Sequence, residues 1–213
     1  LLAGRLALIH ELAPYVSDSY RSLAPTSRPA RIRYRSSLGE SLPPEYLDPD
    51  RQPEPDDHMF IRERFEHELS AMRSREIERG VCLVGPHRDD LELALGDTPA
   101  KGFASHGESW SFALSLRLGA FSLLRSDGTD PVLMLDDVFA ELDRFRRKAL
   151  AEVATLAEQV LITAAVPEDV PEELRATRFG VQAHDSADGR VSRVTPECVT
   201  SESTTREEVS RDE

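Results

Sequence analysis

Over residues 1–24, Leu2, Leu6, Ile9, Ala13 and Val16 recur at three- and four-residue steps. One apolar stripe of that period predicts an amphipathic helix. Pro25 and Pro29 predict its end. Residues 30–35 switch to a period of two. Ile32 and Tyr34 share one face and Arg31, Arg33 and Arg35 the other, the pattern of a half-buried strand. Residues 37–57 carry Pro43, Pro44, Pro49, Pro53 and Pro55 among acids, so a mobile loop is expected there. Helical spacing returns over 58–79 as a thin stripe, Ile61, Phe65, Leu69 and Met72, on an otherwise charged helix.

The pattern changes at Gly80. Residues 81–84 read as a short apolar strand ending at Gly85-Pro86, and 91–95 alternate like a second strand. A long apolar helix is predicted over 107–125. Trp110, Ala113, Leu114, Phe121 and Leu124 line one side of it, and Phe112, Leu116 and Leu123 cover much of the other. Residues 131–135 are continuously apolar, as in a strand buried on both faces. A helix over 144–157, a strand over 160–163 and weaker strands over 177–183 and 190–194 complete the pattern. Strands alternating with helices predict an α/β fold. From Thr195 onward the chain is polar and acidic, and a disordered tail is expected over 195–213. The expected organisation is a helical arm with a Pro-rich loop (1–79), an α/β part (80–194) and the tail.

Composition narrows the function classes. With 39% apolar residues in 213, the chain can bury a core. A net charge of -13 excludes a polycation that coats nucleic acid, so any such contact needs a local basic patch. Cys82 and Cys198 are the only cysteines and lack metal-ligand spacing. That usage suits a reducing compartment, and a cytoplasmic location is expected. No apolar run approaches the ~20 residues of a membrane span. The chain opens at Leu1 inside a helical pattern, without signal-peptide features, as expected of the later part of a longer protein.

Two segments carry candidate chemistry. The apolar run ending at Leu135 leads into Asp136-Asp137. Ligands of open parallel sheets bind outside the carboxyl ends of strands. Two acids there repel each other, and Mg²⁺ compensates them well, taking one or two carboxylates, water and phosphate oxygens. One acid would hold the metal and the other would orient or deprotonate an attacking water. The plainer reading is a solvated strand end or a helix cap. The second segment is Ala104-Ser105-His106-Gly107-Glu108, before the long helix. Ser105 and Glu108 fit a capping box, which needs no ligand. The same turn also offers a hydroxyl and free N–H groups at the positive end of a helix dipole, an anion site.

Together these segments resemble an ABC-type ATPase of the SMC and RecF branch. The strand, two acids, short turn and Glu141-Leu142-Asp143 look like a Walker B strand and D-loop. The turn at Ser105 looks like the ABC signature: Ser105, Gly107 and Glu108 match, while Ala104 and His106 depart from it. The resemblance implies Asp136 as the Mg²⁺ ligand and Asp137 as the general base, a position usually held by Glu. It implies Asp143 as the D-loop acid facing a partner subunit, and places Thr163 where ABC transporters carry a switch His. Ser105, Gly107, Glu108, Asp143 and Thr163 are then the expected nucleotide-binding residues.

Leu83-Val84-Gly85-Pro86-His87-Arg88-Asp89-Asp90-Leu91, with the Arg-Glu-Ile-Glu-Arg-Gly of residues 75–80 before it, closely resembles the RecF family in particular. The likeness covers about residues 60–170 and weakens in the arm. No G-x-x-x-x-G-K-[ST] loop occurs; Lys101 lacks the upstream glycines. In the family that loop precedes the arm, so this chain looks like the arm and the second half of the ATPase lobe. Family membership implies ATP and Mg²⁺, a homodimer with ATP between subunits, and DNA binding at gaps or single-strand/double-strand junctions. It also implies action with RecR and RecO to load RecA in recombinational repair and the SOS response.

Other readings stay open at this point. They are another SMC-like ATPase, a two-metal nuclease using Asp89, Asp90, Asp136 and Asp137, and a non-catalytic dimerisation or DNA-docking module. The segment from His87 to Asp90 reads as a structural ion-pair turn, as a phosphate or DNA contact through Arg88, or as a metal site of His87 with Asp89 or Asp90.

Overall fold

The computed structural model describes residues 1–48, 50–174, 176–186 and 189–197. The chain divides into two compact units, Leu1–Pro171 and Glu172–Glu213. The first runs α1 (Leu2–Leu23), β1 (Ala30–Arg35), α2 (Asp57–Arg79), β2 (Asp90–Leu95), β3 (Thr98–Pro99), α3 (His106–Ser126), β4 (Leu133–Asp136), α4 (Arg144–Ala154) and β5 (Val160–Thr163). The second holds an antiparallel hairpin of β6 (Arg178–Ser186) and β7 (Gly189–Glu197). The α/β class expected from the pattern is the one observed. The expected tail loses its first residues, Thr195 to Glu197, to β7; its remainder, 198–213, lies outside the described residues.

Helix α1 buries Leu2, Ile9 and Val16 as its period predicts, and the stripe continues to Tyr20 and Leu23. It packs on α3, where Tyr20 meets Phe112 with ring centroids 5.5 Å apart. The buried face of α3 is Ser111, Phe112, Leu114, Ser115, Leu118, Gly119 and Phe121. Ala113 and Leu124, expected on an apolar side, are exposed instead. Ser111, Ser115 and Gly119 stand four residues apart, so a line of small side chains admits α1 closely. A Cβ on Gly119 would lie 2.8 Å from Val16 Cγ2 and 3.0 Å from the Val16 backbone nitrogen. Gly119→Ala is therefore expected to destabilise the chain by a net ~1–2 kcal/mol, overpacking exceeding the gain in helix propensity. Urea unfolding checks this: a midpoint at or above the parent's would mean that the helices separate freely.

β1 pairs antiparallel with β2, so Ala30, Ile32 and Tyr34 sit opposite Leu95, Leu93 and Leu91. The outward arginines find acids: Arg35 lies 3.0 Å from Asp90, and Arg31 3.2 Å from Asp97. This ladder crosses the division expected between residues 79 and 80. A strand of the arm and a strand of the α/β part form one sheet, and the contact boundary falls at Pro171. Residues 81–84, expected as a strand, form none. Their amides go to a side chain: the Glu76 carboxylate accepts from Leu83 N at 2.7 Å and Val84 N at 3.4 Å. The Pro-rich segment is also not loose. Leu38 and Leu42 are buried in the core. Tyr46 stacks on Phe60 at 4.9 Å, and Arg51 caps the Tyr46 ring at 4.2 Å. Both Arg51 terminal nitrogens donate to Asp57 at 2.7 Å. That fork holds the Asp57 carboxyl well below the usual range, at about 2.

β4 and β5 pair in parallel, bringing Asp136 beside Thr163. Only one face of this pair is covered. Leu135 is 4% exposed, whereas Met134 is 73% exposed, and Val132 and Leu161 are exposed as well. The expectation of a strand buried on both faces is corrected: no described element covers the second face.

Candidate functional site

Strand alternation places Asp136 and Thr163 on the open face of the β4–β5 pair, at its carboxyl end. The Thr163 hydroxyl donates to one oxygen of Asp136. Asp137 follows at φ 52°, ψ 22°, the only non-glycine residue with positive φ among the described residues. Asp and Asn adopt this left-handed conformation more readily than most side chains. Its N–H donates to both the Thr163 carbonyl and hydroxyl oxygens, each at 3.1 Å. Although Asp137 precedes a short 3₁₀ turn, its side chain makes no capping hydrogen bond. The plain helix-cap reading thus leaves its carboxylate unaccounted for. Both acids are exposed. Two carboxylates at a strand end fit a Mg²⁺ ion completed by water and phosphate oxygens. They do not form an all-protein cage: no three of His, Cys, Asp and Glu converge on a metal position among the described residues.

The second group gathers at the start of α3. The capping box is complete. Ser105 Oγ accepts from Glu108 N at 3.3 Å, and the Glu108 carboxylate accepts from Ser105 N at 2.9 Å. That N–H, helped by Ser27 and Arg28, keeps the Glu108 carboxyl below its ordinary range. Ser27 Oγ donates to Glu108 at 3.1 Å and Arg28 lies 3.6 Å away, so the loop after α1 braces the turn. Asp143, expected in a D-loop, caps α4 by accepting from Arg146 N at 2.9 Å. That backbone donor is the first cause of its lowered pKa. Arg146 pairs with the same carboxylate, and its Nε donates to Ser111 Oγ of α3 at 2.8 Å.

Arg146 and Ser111 thus link Asp143 to Gly107, in the turn that the Ser105–Glu108 capping box closes, while Asp136, Asp137 and Thr163 are joined by their own hydrogen bonds at the end of β4 and β5. Sequence reasoning missed Arg146, Ser111, Ser27 and Arg28. Only Arg146 left a signal, an Arg three residues after a helix-capping Asp. The segment from Gly85 to Asp90 is a structural knot. Asp89 accepts from Tyr34 OH at 2.7 Å and Ser37 N at 2.6 Å, and Arg5 reaches Tyr34 OH at 3.0 Å and the Pro86 carbonyl at 2.6 Å.

No family model matches the chain. It is 72% identical over 196 residues to the DNA replication and repair protein RecF of Rhodococcus erythropolis (strain PR4 / NBRC 100887), covering 92% of this chain and 48% of that protein. The chain therefore spans about half the length of this curated relative. A solved structure of the recombination mediator protein RecF-ATPrS in the RecFOR pathway superposes with a TM-score of 0.60 at 24% identity, over 79% of this chain and 42% of that one. A second, of RecF-ATP in the same pathway, gives 0.58 at 23% identity, over 76% and 40%. These two support the fold. By a match that spans 92% of its length, the chain belongs to the RecF family.

Proposed function

We propose that the chain supplies the signature turn, Walker B acids and D-loop of a RecF-type ATPase that binds Mg-ATP between two copies of itself. The observation that carries this is the end of β4. Asp136 is clasped by Thr163 of the parallel neighbour strand, beside an Asp137 whose carboxylate no cap employs. In this reading Asp136 holds Mg²⁺ and Asp137 takes the proton of the attacking water. Ser105 and the free N–H groups at the start of α3 meet the γ-phosphate held by the partner copy. The open face of β4 and β5 is then the surface that the first half of the lobe covers. The full-length protein acts in the cytoplasm on gapped or junction DNA, with RecR and RecO, in recombinational repair and the SOS response. The nuclease alternative loses two of its acids, because Asp89 is engaged by Tyr34 and Ser37, and Asp90 by Arg35.

Two measurements test the reading together. The full-length protein should dimerise when Mg-ATP is added, read by mass in solution. The 213-residue chain alone should hydrolyse no ATP above background, since it has no glycine-rich loop and lysine to cradle the phosphates. Mg-dependent turnover by this chain would overturn the assignment.

A further inference from the structure

We infer that Arg146 is a positioning residue that locks the D-loop acid to the signature turn, so that both elements meet a partner copy as one rigid surface. The inference rests on the dimeric ATPase reading above and adds the part that joins its two subunit-facing motifs. The geometry is a directed chain of hydrogen bonds. The Arg146 guanidinium pairs with Asp143 through one terminal nitrogen, and its Nε donates to Ser111 Oγ at 2.8 Å. Ser111, fully buried, in turn donates a hydrogen bond from its hydroxyl to the Gly107 carbonyl oxygen at 2.8 Å. The other terminal nitrogen lies against Gly107, 3.4 Å from where a Cβ would stand. One side chain of α4 therefore grips the carboxylate before its own helix and the first turn of α3.

A planar fork suits this task. Arg holds two partners in fixed directions, whereas Lys is a point charge on a flexible stem. The cap of α4 does not depend on the side chain, because Asp143 accepts from the backbone nitrogen of residue 146. Arg146→Ala keeps that cap and removes both guanidinium contacts, the ion pair with Asp143 and the bridge to α3. A role confined to helix stability and a role in coupling thus give different results.

The experiment compares full-length wild-type protein with Arg146→Ala, Arg146→Lys, Asp143→Ala and the Arg146→Ala/Asp143→Ala double variant. Monomer affinity for ATP, melting temperature and the ATP-dependent dimer dissociation constant are measured on each. Arg146→Ala should weaken dimerisation about tenfold while monomer affinity for ATP stays within about twofold, and the double variant should be little worse than either single, as for residues acting through one another. Arg146→Lys should fall between Arg146→Ala and wild type at an unchanged melting temperature. Dimerisation of Arg146→Ala at the wild-type constant, a loss that only follows the melting temperature, or single effects that multiply in the double variant would each overturn the inference and leave the ATPase reading standing. Wild-type protein that stays monomeric with Mg-ATP would overturn the ATPase reading, and this inference with it.

Discussion

Replacing Asp137 by Asn in the full-length protein is expected to leave ATP binding intact and to lower hydrolysis about 10²–10⁴-fold, the usual contribution of a general base. The substitution suits the backbone. Asp137 sits at φ 52°, ψ 22°, a conformation that Asn also tolerates. Its N–H bonds to Thr163 do not involve the side chain. The carboxylate makes no capping hydrogen bond, so fold stability should hardly move. Asp136→Asn should behave differently, weakening Mg-ATP use itself, because the Thr163 hydroxyl already orients that carboxylate. Steady-state turnover with nucleotide-binding titrations separates the two acids. An Asp137→Asn protein that turns over at the normal rate would mean that the base lies elsewhere.

Ser105→Arg is expected to block ATP-driven dimerisation while the monomer still binds ATP. In the proposed dimer the signature turn closes over the nucleotide of the other copy, so its own subunit's nucleotide should not sense the change. Ser105 is exposed at the head of α3, where a small hydroxyl leaves room for a phosphate approaching the free N–H groups. An Arg side chain fills that space. It also removes a cap, which by itself costs roughly 0.5–2 kcal/mol. Ser105→Asp supplies the control. Asp caps a helix about as well as Ser, so stability should be retained, while its negative charge opposes an incoming phosphate. If Ser105→Asp dimerises normally and Ser105→Arg declines only in step with its melting temperature, Ser105 is a cap and nothing more.

Much of the site was legible because its signals are local. The capping box at Ser105 and Glu108 is a three-residue spacing, and the structure closes both of its bonds. The buried-run-then-acids pattern placed Asp136 and Asp137 at a strand end, where β4 stops. Alternation over 30–35 named the inward faces of β1 before its partner was known.

The sequence by itself determined the elements whose period is written in one segment: α1, β1, α2, α3 and the order of motifs around β4. Tertiary structure alone decided the rest, because the deciding partner is remote in sequence. Residues 81–84 are apolar enough for a strand, but Glu76 on the neighbouring helix takes two of their amides. The Pro-rich segment looked loose because its anchors, Phe60 and Asp57, belong to the next helix. A strand covered on both faces was expected at 131–135, yet burial needs a covering element, and among the described residues only one face has one. Arg146 reads as one more charge on a helix until folding sets α4 beside α3, and only then does its guanidinium stand within hydrogen-bonding reach of both Asp143 and Ser111.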